Sequence, residues 1–144
     1  MAEEALTEKF LNQLLDADNL EQALGTGDFT DRTFCEYAHF LLDEKGLVRA
    51  DIVRKARLNS TYGWQVFEGQ RNPGRNTVLR IALAMGLTLR EVNRLLAASN
   101  NAQLYCKNRR DAIIIFCIDH GRTLEETDDA LYEFGEETIS SNEQ

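Results

Sequence analysis

The chain has 144 residues, of which 43% are hydrophobic, and it carries a formal net charge of −8. This composition excludes an intrinsically disordered chain. No segment approaches the roughly 18 consecutive apolar residues that a membrane-spanning helix needs, so we expect no membrane association. The acidic N-terminus lacks the basic and apolar regions of a signal peptide, which favours a cytoplasmic location.

Helices are predicted almost throughout, because apolar residues recur at three- and four-residue spacings and no segment has a strand pattern. The fold class is therefore predicted to be all-α. The first amphipathic helix carries Leu6, Phe10, Leu14 and Leu15 and is followed by a loop at 25–28. Asp31 or Thr33 is expected to cap the next helix, whose apolar side contains Phe34, Tyr37, Ala38, Leu41 and Leu42 and which ends at Gly46.

Short helices are predicted in the middle of the chain. Their ranges are 49–57, 60–68, 75–85 and from Thr88 to about 96. Leu58 and Asn59 form a tight corner between the first two, and Asn59 or Ser60 is suited to cap the second through its side-chain oxygen. Gly69 and Gly86 are expected to end helices.

Two further helices are predicted at about 107–119 and 123–134. The expected inward residues are Ala112, Ile113, Phe116 and Cys117 on the first helix and Leu124, Thr127, Leu131 and Phe134 on the second. Thr123 and Glu126 fit a capping box. The organisation is thus an N-terminal extension (1–30), a central domain (31–99), a C-terminal helical pair (100–139) and a disordered tail (140–144).

The run from Ile113 to Phe116 covers most of a helix circumference, which predicts burial on more than one side. Packing within the chain would explain this pattern, and an interface in a homodimer is the alternative. An analytical ultracentrifugation concentration series distinguishes the two.

Charge is divided unevenly along the chain. Residues 48–110 contain twelve basic and three acidic residues, a net +9, whereas the rest contains four basic and twenty-one acidic residues, a net −17. This asymmetry favours a basic functional surface flanked by acidic helices, and the alternative is a set of solvated arginines without a ligand.

No catalytic, metal or cofactor site is predicted, and we expect the protein not to be an enzyme. His39 and His120 are far apart in sequence, and no Gly-rich phosphate loop is present. Cys35, Cys106 and Cys117 form no CxxC pair and are expected to be small buried residues with free thiols inside helices.

Residues 47–96 combine two short helices, a corner, a Gly-Gln-Arg-Asn-Pro loop and a further helix. This pattern resembles the Cro/CI-type (XRE-like) helix-turn-helix family. The residues that carry the resemblance are Leu47, Ile52, Leu58, Val66, the loop 69–73 and the apolar stretch 79–87. The resemblance covers about a third of the chain and implies a five-helix repressor-type core with helical extensions at both ends.

Three positions depart from the family pattern. Arg57 stands at the turn, where a small residue, often Gly, is usual. Gly63 replaces an aliphatic residue, and we expect the resulting gap to be filled by an aromatic neighbour: Phe67, Tyr62 or Trp64. Arg49 occupies the position of a phosphate-binding Gln, which preserves the electrostatic role.

The resemblance implies that the helix at 60–68 enters the major groove of double-stranded DNA. Gln65 could recognise adenine, Ser60 or Thr61 could contact base edges or phosphates, and arginines nearby would contact phosphates. The predicted DNA-binding residues are Arg49, Asn59, Ser60, Thr61, Trp64, Gln65, Arg71, Asn72 and Arg75. The implied function is sequence-specific transcriptional regulation. The alternative is a protein-interaction or antitoxin-like module that uses Tyr62, Trp64 and the acidic helices to bind a protein partner.

Overall fold

The computed structural model describes residues 2–25 and 32–140, with side chains from residue 8 onward. Within these ranges the chain forms nine α-helices and no strand, which confirms the all-α prediction. None of the described helices is long and apolar enough to cross a membrane. The chain divides into two compact units, Met1–Asp31 and Arg32–Gln144. Most of the predicted tail at 140–144 and of the predicted loop at 25–28, together with the alternative cap Asp31, lies outside the described residues.

The first unit contains α1 (Ala2–Asp16) and α2 (Leu20–Gly25). The short helix α2 was not predicted. It begins with a reciprocal pair of hydrogen bonds, in which Asn19 Oδ1 accepts from the Gln22 N–H at 2.7 Å and Gln22 Oε1 accepts from the Asp18 N–H at 3.1 Å. Local side-chain bonds of this kind form a helix start without any apolar pattern.

The second unit contains seven helices. They are α3 (Phe34–Lys45), α4 (Arg49–Lys55), α5 (Ser60–Phe67), α6 (Arg75–Met85), α7 (Leu89–Ala98), α8 (Arg109–Asp119) and α9 (Leu124–Glu133). Capping boxes at Thr33, Thr88 and Thr123 start three of them, and Gly46 and Gly86 end two in the left-handed conformation. These boundaries agree with the predicted ranges to within two residues, because caps are encoded by adjacent side chains.

Helix α6 lies at the centre of the core and packs against α4, α7 and α9. Val78, Leu79 and Ile81 on this helix are completely buried. The same cluster of buried residues includes Ile114 of α8, Leu131 of α9 and Ile139 beyond it. The C-terminal helices therefore share one hydrophobic core with α3–α7.

Burial of α8 on more than one side is confirmed, since Ile114 is fully buried while Ile113 and Ile115 are half-buried against the core. The prediction that Phe116 and Phe134 point inward is wrong: their side chains are 51% and 54% exposed. The buried residues of α8 lie on the face of Ile114 and Cys117, and Phe116 falls on the opposite side of the helix. Phe134 follows the last turn of α9, where the chain leaves the helix.

All three cysteines are free, but only Cys117 is a buried residue inside a helix. Cys106 is exposed in the turn before α8, contrary to the prediction. Cys35 is half-buried on α3, and its Sγ donates a hydrogen bond to the Phe67 carbonyl at 3.0 Å. Burial, and secondarily the nearby Glu68 carboxylate, raise the pKa of the Cys35 thiol, so it is held in the protonated, donating form.

Candidate nucleic-acid interface

Helices α4 and α5 are joined by a tight turn at residues 56–59. Arg57 adopts a left-handed conformation with φ of 60°, and Leu58 is buried. Asn59 begins α5, because its Oδ1 accepts hydrogen bonds from the backbone N–H groups of Thr61 at 2.9 Å and Tyr62 at 3.1 Å. The predicted corner and cap are therefore present, although a left-handed conformation costs a non-glycine residue about 1–2 kcal/mol.

Arg80 of α6 holds this turn from inside the core. It is only 4% exposed, and its Nε donates to the Ala56 carbonyl at 2.9 Å while its Nη2 donates to the Arg57 carbonyl. These bonds satisfy carbonyl groups that the end of α4 leaves open. Sequence reasoning counted Arg80 only as surface charge. Its position in the apolar stretch of α6 indicated that Arg80 is buried, because a solvated side chain there would interrupt the buried face of the helix.

Gly63 of α5 lies directly against Val53 of α4. A Cβ atom at this position would lie 2.6 Å and 2.9 Å from the two methyl carbons of Val53. The expected gap is therefore absent, and the aromatic residues proposed to fill it are not needed. Val53 occupies the space because α4 packs close enough to use the missing side-chain volume.

The side of α5 that faces solvent carries Ser60, Thr61, Trp64, Gln65 and Glu68, which we call the outward face. Trp64 is 45% exposed, Gln65 is half-buried and the other three are exposed. On the opposite side, Val66 and Phe67 are fully buried. The face predicted from helical spacing is thus the accessible side of the helix.

Arg49, at the start of α4, forms an ion pair with Glu68 at the end of α5, with 2.6 Å between Nη1 and Oε2. This pair places a cation at the edge of the outward face and at the same time neutralises its carboxylate. The two side chains remain 33% and 40% exposed, so solvent weakens their attraction.

Arg71, in the loop after α5, is exposed, and its guanidinium carbon lies 5.8 Å from the centre of the Tyr62 ring. Its backbone N–H donates to the Gln65 carbonyl at 3.3 Å, which fixes the start of the loop against the last turn of α5. Arg71 therefore offers a positioned but accessible positive charge beside the outward face.

Asn72 and Arg75 are directed toward a different part of the chain. The Asn72 side chain donates to the Ser99 carbonyl at 2.9 Å. Arg75 donates to the carbonyls of Ala102 and Gln103, and it binds both carboxylate oxygens of Asp111 at 3.0 Å and 2.9 Å. These contacts give both side chains a structural role in joining the loop and α6 to the segment before α8.

The Asp111 carboxylate is almost fully buried and accepts three hydrogen bonds, two from the Arg75 guanidinium and one from the Tyr105 N–H. Burial alone would raise the pKa of Asp111, but hydrogen bonds from Arg75 and from the Tyr105 N–H outweigh it and hold the pKa below its ordinary value of 3.8. The nearby charges of Arg75 and Arg110 act in the same direction. Asp111 therefore remains ionised as the anchor of Arg75.

Much of the positive charge of residues 48–110 is compensated locally. Apart from the pairs of Arg49 and Arg75, the ion pairs are Arg54–Asp51, Arg57–Glu125 and Arg109–Glu136, with N–O distances of 2.8, 3.8 and 2.7 Å. Such exposed pairs are weak and exchange partners readily. Arg49, Arg54, Arg57, Arg75 and Arg109 thus each have a carboxylate partner, whereas Arg71 is an exposed cation beside α5.

Among the described residues, no three His, Cys, Asp or Glu side chains converge as a metal site. No family model, no curated protein and no solved structure matches this chain.

Proposed function

We propose that α3–α7 form a repressor-type helix-turn-helix core and that the protein is a sequence-specific, DNA-binding transcriptional regulator. The observation that carries this proposal is the outward face of α5, a solvent-accessible strip of polar and aromatic side chains next to a tight turn held by Arg80. An α-helix fits the major groove of B-DNA, and such a strip is what base recognition requires.

In this proposal α5 lies in the major groove and α4 crosses the sugar-phosphate backbone. Gln65 can form a paired hydrogen bond with adenine, and Ser60 and Thr61 lie at the helix start, where base edges or phosphates are within reach. Arg71 contacts a phosphate directly. Arg49 contacts a phosphate after its ion pair with Glu68 breaks. This step leaves the Glu68 carboxylate exposed to solvent.

We further propose that two copies of the protein bind together, because two-fold DNA readers place their recognition helices about 34 Å apart. The exposed aromatic residues of the C-terminal helices are candidates for this contact. Phe116 and Phe134 line an open cleft of about 380 Å³ between α8 and α9. Sedimentation over a concentration series tests this point separately from DNA binding.

Binding to a protein partner is the second candidate function. The observation that favours it is the exposure of Trp64, since a half-exposed indole is also typical of protein interfaces. The two functions differ in their response to salt. Binding through several phosphates weakens steeply as salt is added, whereas an aromatic protein interface responds much less.

The test is a selection of bound duplexes from random DNA at two salt concentrations. We expect Arg71→Ala to weaken binding to all duplexes, because a phosphate contact carries no sequence information. Gln65→Ala should change the preferred sequence, with a loss of about 1–3 kcal/mol on the original site. Lys107→Ala removes an exposed positive charge in the turn before α8 and is the control that should change neither.

Failure to enrich any duplex at low salt would contradict the DNA-binding proposal. Enrichment that is unchanged by both Arg71→Ala and Gln65→Ala would place the DNA contact on another surface.

A further inference from the structure

We propose that Trp64 recognises the 5-methyl group of thymine, so that the DNA site contains a T·A pair beneath the middle of α5. This inference depends on the proposed DNA-binding function and specifies one base that the outward face selects. It concerns the one side chain of that face that has no hydrogen-bond acceptor and only a single donor.

The position of Trp64 on the helix supports the proposal. Ser60, Trp64 and Glu68 follow each other at four-residue intervals, so their side chains form a line along the outward face with Trp64 in the middle. Its indole is 45% exposed, although Gly63 and Val66 nearby are buried. The centre of the line is therefore a large apolar surface between the Ser60 hydroxyl group and the Glu68 carboxylate.

Only some base edges suit such a surface. In the major groove, guanine presents two acceptors, adenine presents an acceptor and an amino donor, cytosine presents an amino donor, and thymine presents a carbonyl oxygen and a methyl group. An indole ring has no paired donors for guanine and no acceptor for the amino groups of adenine and cytosine, but its face can cover a methyl group. Of the four bases, thymine thus gains the most from contact with Trp64.

The charged residues near Trp64 also favour thymine over guanine. Guanine is most often selected by Arg or Lys, and residues 60–68 contain neither. Arg49, the cation at the edge of the outward face, contacts a phosphate in the proposed complex and therefore does not select a base. Gln65, the next residue after Trp64, is suited to adenine, so the two side chains together can recognise adjacent A·T and T·A pairs.

The experiment uses the full chain and the most strongly enriched duplex. Each thymine is replaced in turn by deoxyuridine, which removes the methyl group and keeps the base pairing. Affinity is measured by fluorescence anisotropy. We expect one position at which the replacement weakens wild-type binding by about fourfold, the effect of losing one buried methyl group. Trp64→Ala should bind both versions of that position equally.

Two controls separate the alternatives. Tyr105→Ala removes a 59% exposed aromatic residue in the segment before α8 and should keep the full difference between thymine and deoxyuridine. Gln65→Ala should also keep it, even as overall affinity falls. Circular dichroism verifies that each variant is folded, and the wild-type comparison needs no variant at all.

Equal wild-type affinity for the thymine and deoxyuridine duplexes at every position would overturn the methyl contact and leave DNA binding intact. A difference that persists in Trp64→Ala would assign the methyl contact to another residue and overturn the proposal for Trp64. If no duplex is bound, the proposed function and this inference both fail.

Discussion

Replacing Gly63 with Ala should destabilise the protein, although alanine is the better helix former. In a solvent-exposed helix the substitution would gain about 0.5–1 kcal/mol. Here the new Cβ would lie 2.6 Å from a methyl carbon of Val53, so α4 and α5 would have to separate. Overpacking of this kind costs about 1–3 kcal/mol, which leaves a net loss of up to about 2.5 kcal/mol.

Urea unfolding followed by far-ultraviolet circular dichroism measures this difference. A loss of 1 kcal/mol moves the midpoint by about 0.3–1 M for typical slopes of unfolding free energy against urea. A double variant at Gly63 and Val53 tests whether contact with Val53 causes this loss of stability. Val53→Ala should destabilise the protein by itself because it leaves a cavity. In that background Gly63→Ala should become neutral or stabilising, because the added methyl group fills the space.

Thr61→Ala is the control for helix propensity, since it lies on the exposed side of the same helix. It should be neutral or stabilise by up to about 0.7 kcal/mol. The reasoning is refuted if Gly63→Ala stabilises the wild-type protein. It is also refuted if Gly63→Ala has the same effect with and without the Val53 side chain.

Three other substitutions test neighbouring contacts by urea unfolding. Asn59→Ala removes the cap of α5 and should cost about 1 kcal/mol; an unchanged midpoint would show that the cap contributes nothing. Arg57→Gly should stabilise by about 1 kcal/mol because glycine tolerates the left-handed conformation, and a loss of stability would contradict this. The lowered pKa of Asp111 stabilises the fold above the ordinary value of 3.8, and this contribution is lost as the pH falls through the folded-state pKa. Asp111→Asn should therefore be less stable at pH 7 and lose less of its stability between pH 5 and pH 3; a parallel pH profile would contradict this.

The helices of this protein were largely predictable from sequence, because their ends are encoded locally. Thr33, Asn59, Thr88 and Thr123 each bond to backbone N–H groups within three residues, so the cap and the helix are adjacent in the chain. The direction of Phe116 was not predictable in the same way. Four consecutive apolar residues fit any rotation of α8, and only packing against other helices selects one.

The accessible face of α5 was predictable from sequence, but the contacts that the surrounding arginines make were not. Helical spacing was sufficient to place Trp64 and Gln65 on the accessible side of α5. The partners of Arg75 and Arg80 lie more than twenty residues away in sequence, so spacing carries no information about them. An arginine in a basic stretch looks the same in sequence whether it binds phosphate, a carboxylate or a buried carbonyl.

The hydrogen bonds from Asn72 and Arg75 to the segment after α7 affect which shortened fragments of the protein should fold on their own. Asn101 adds to them by donating to the Pro73 carbonyl at 3.0 Å and to Ser99 Oγ at 2.9 Å. A fragment that stops at residue 99 would keep every residue of the outward face. It would nevertheless lose the scaffold that sets the loop after α5 in position, and it would uncover the side of α6 that α9 protects. The smallest fragment that folds on its own with the outward face in position should therefore extend to Ile139, and transferring α5 into another protein would require its C-terminal support as well.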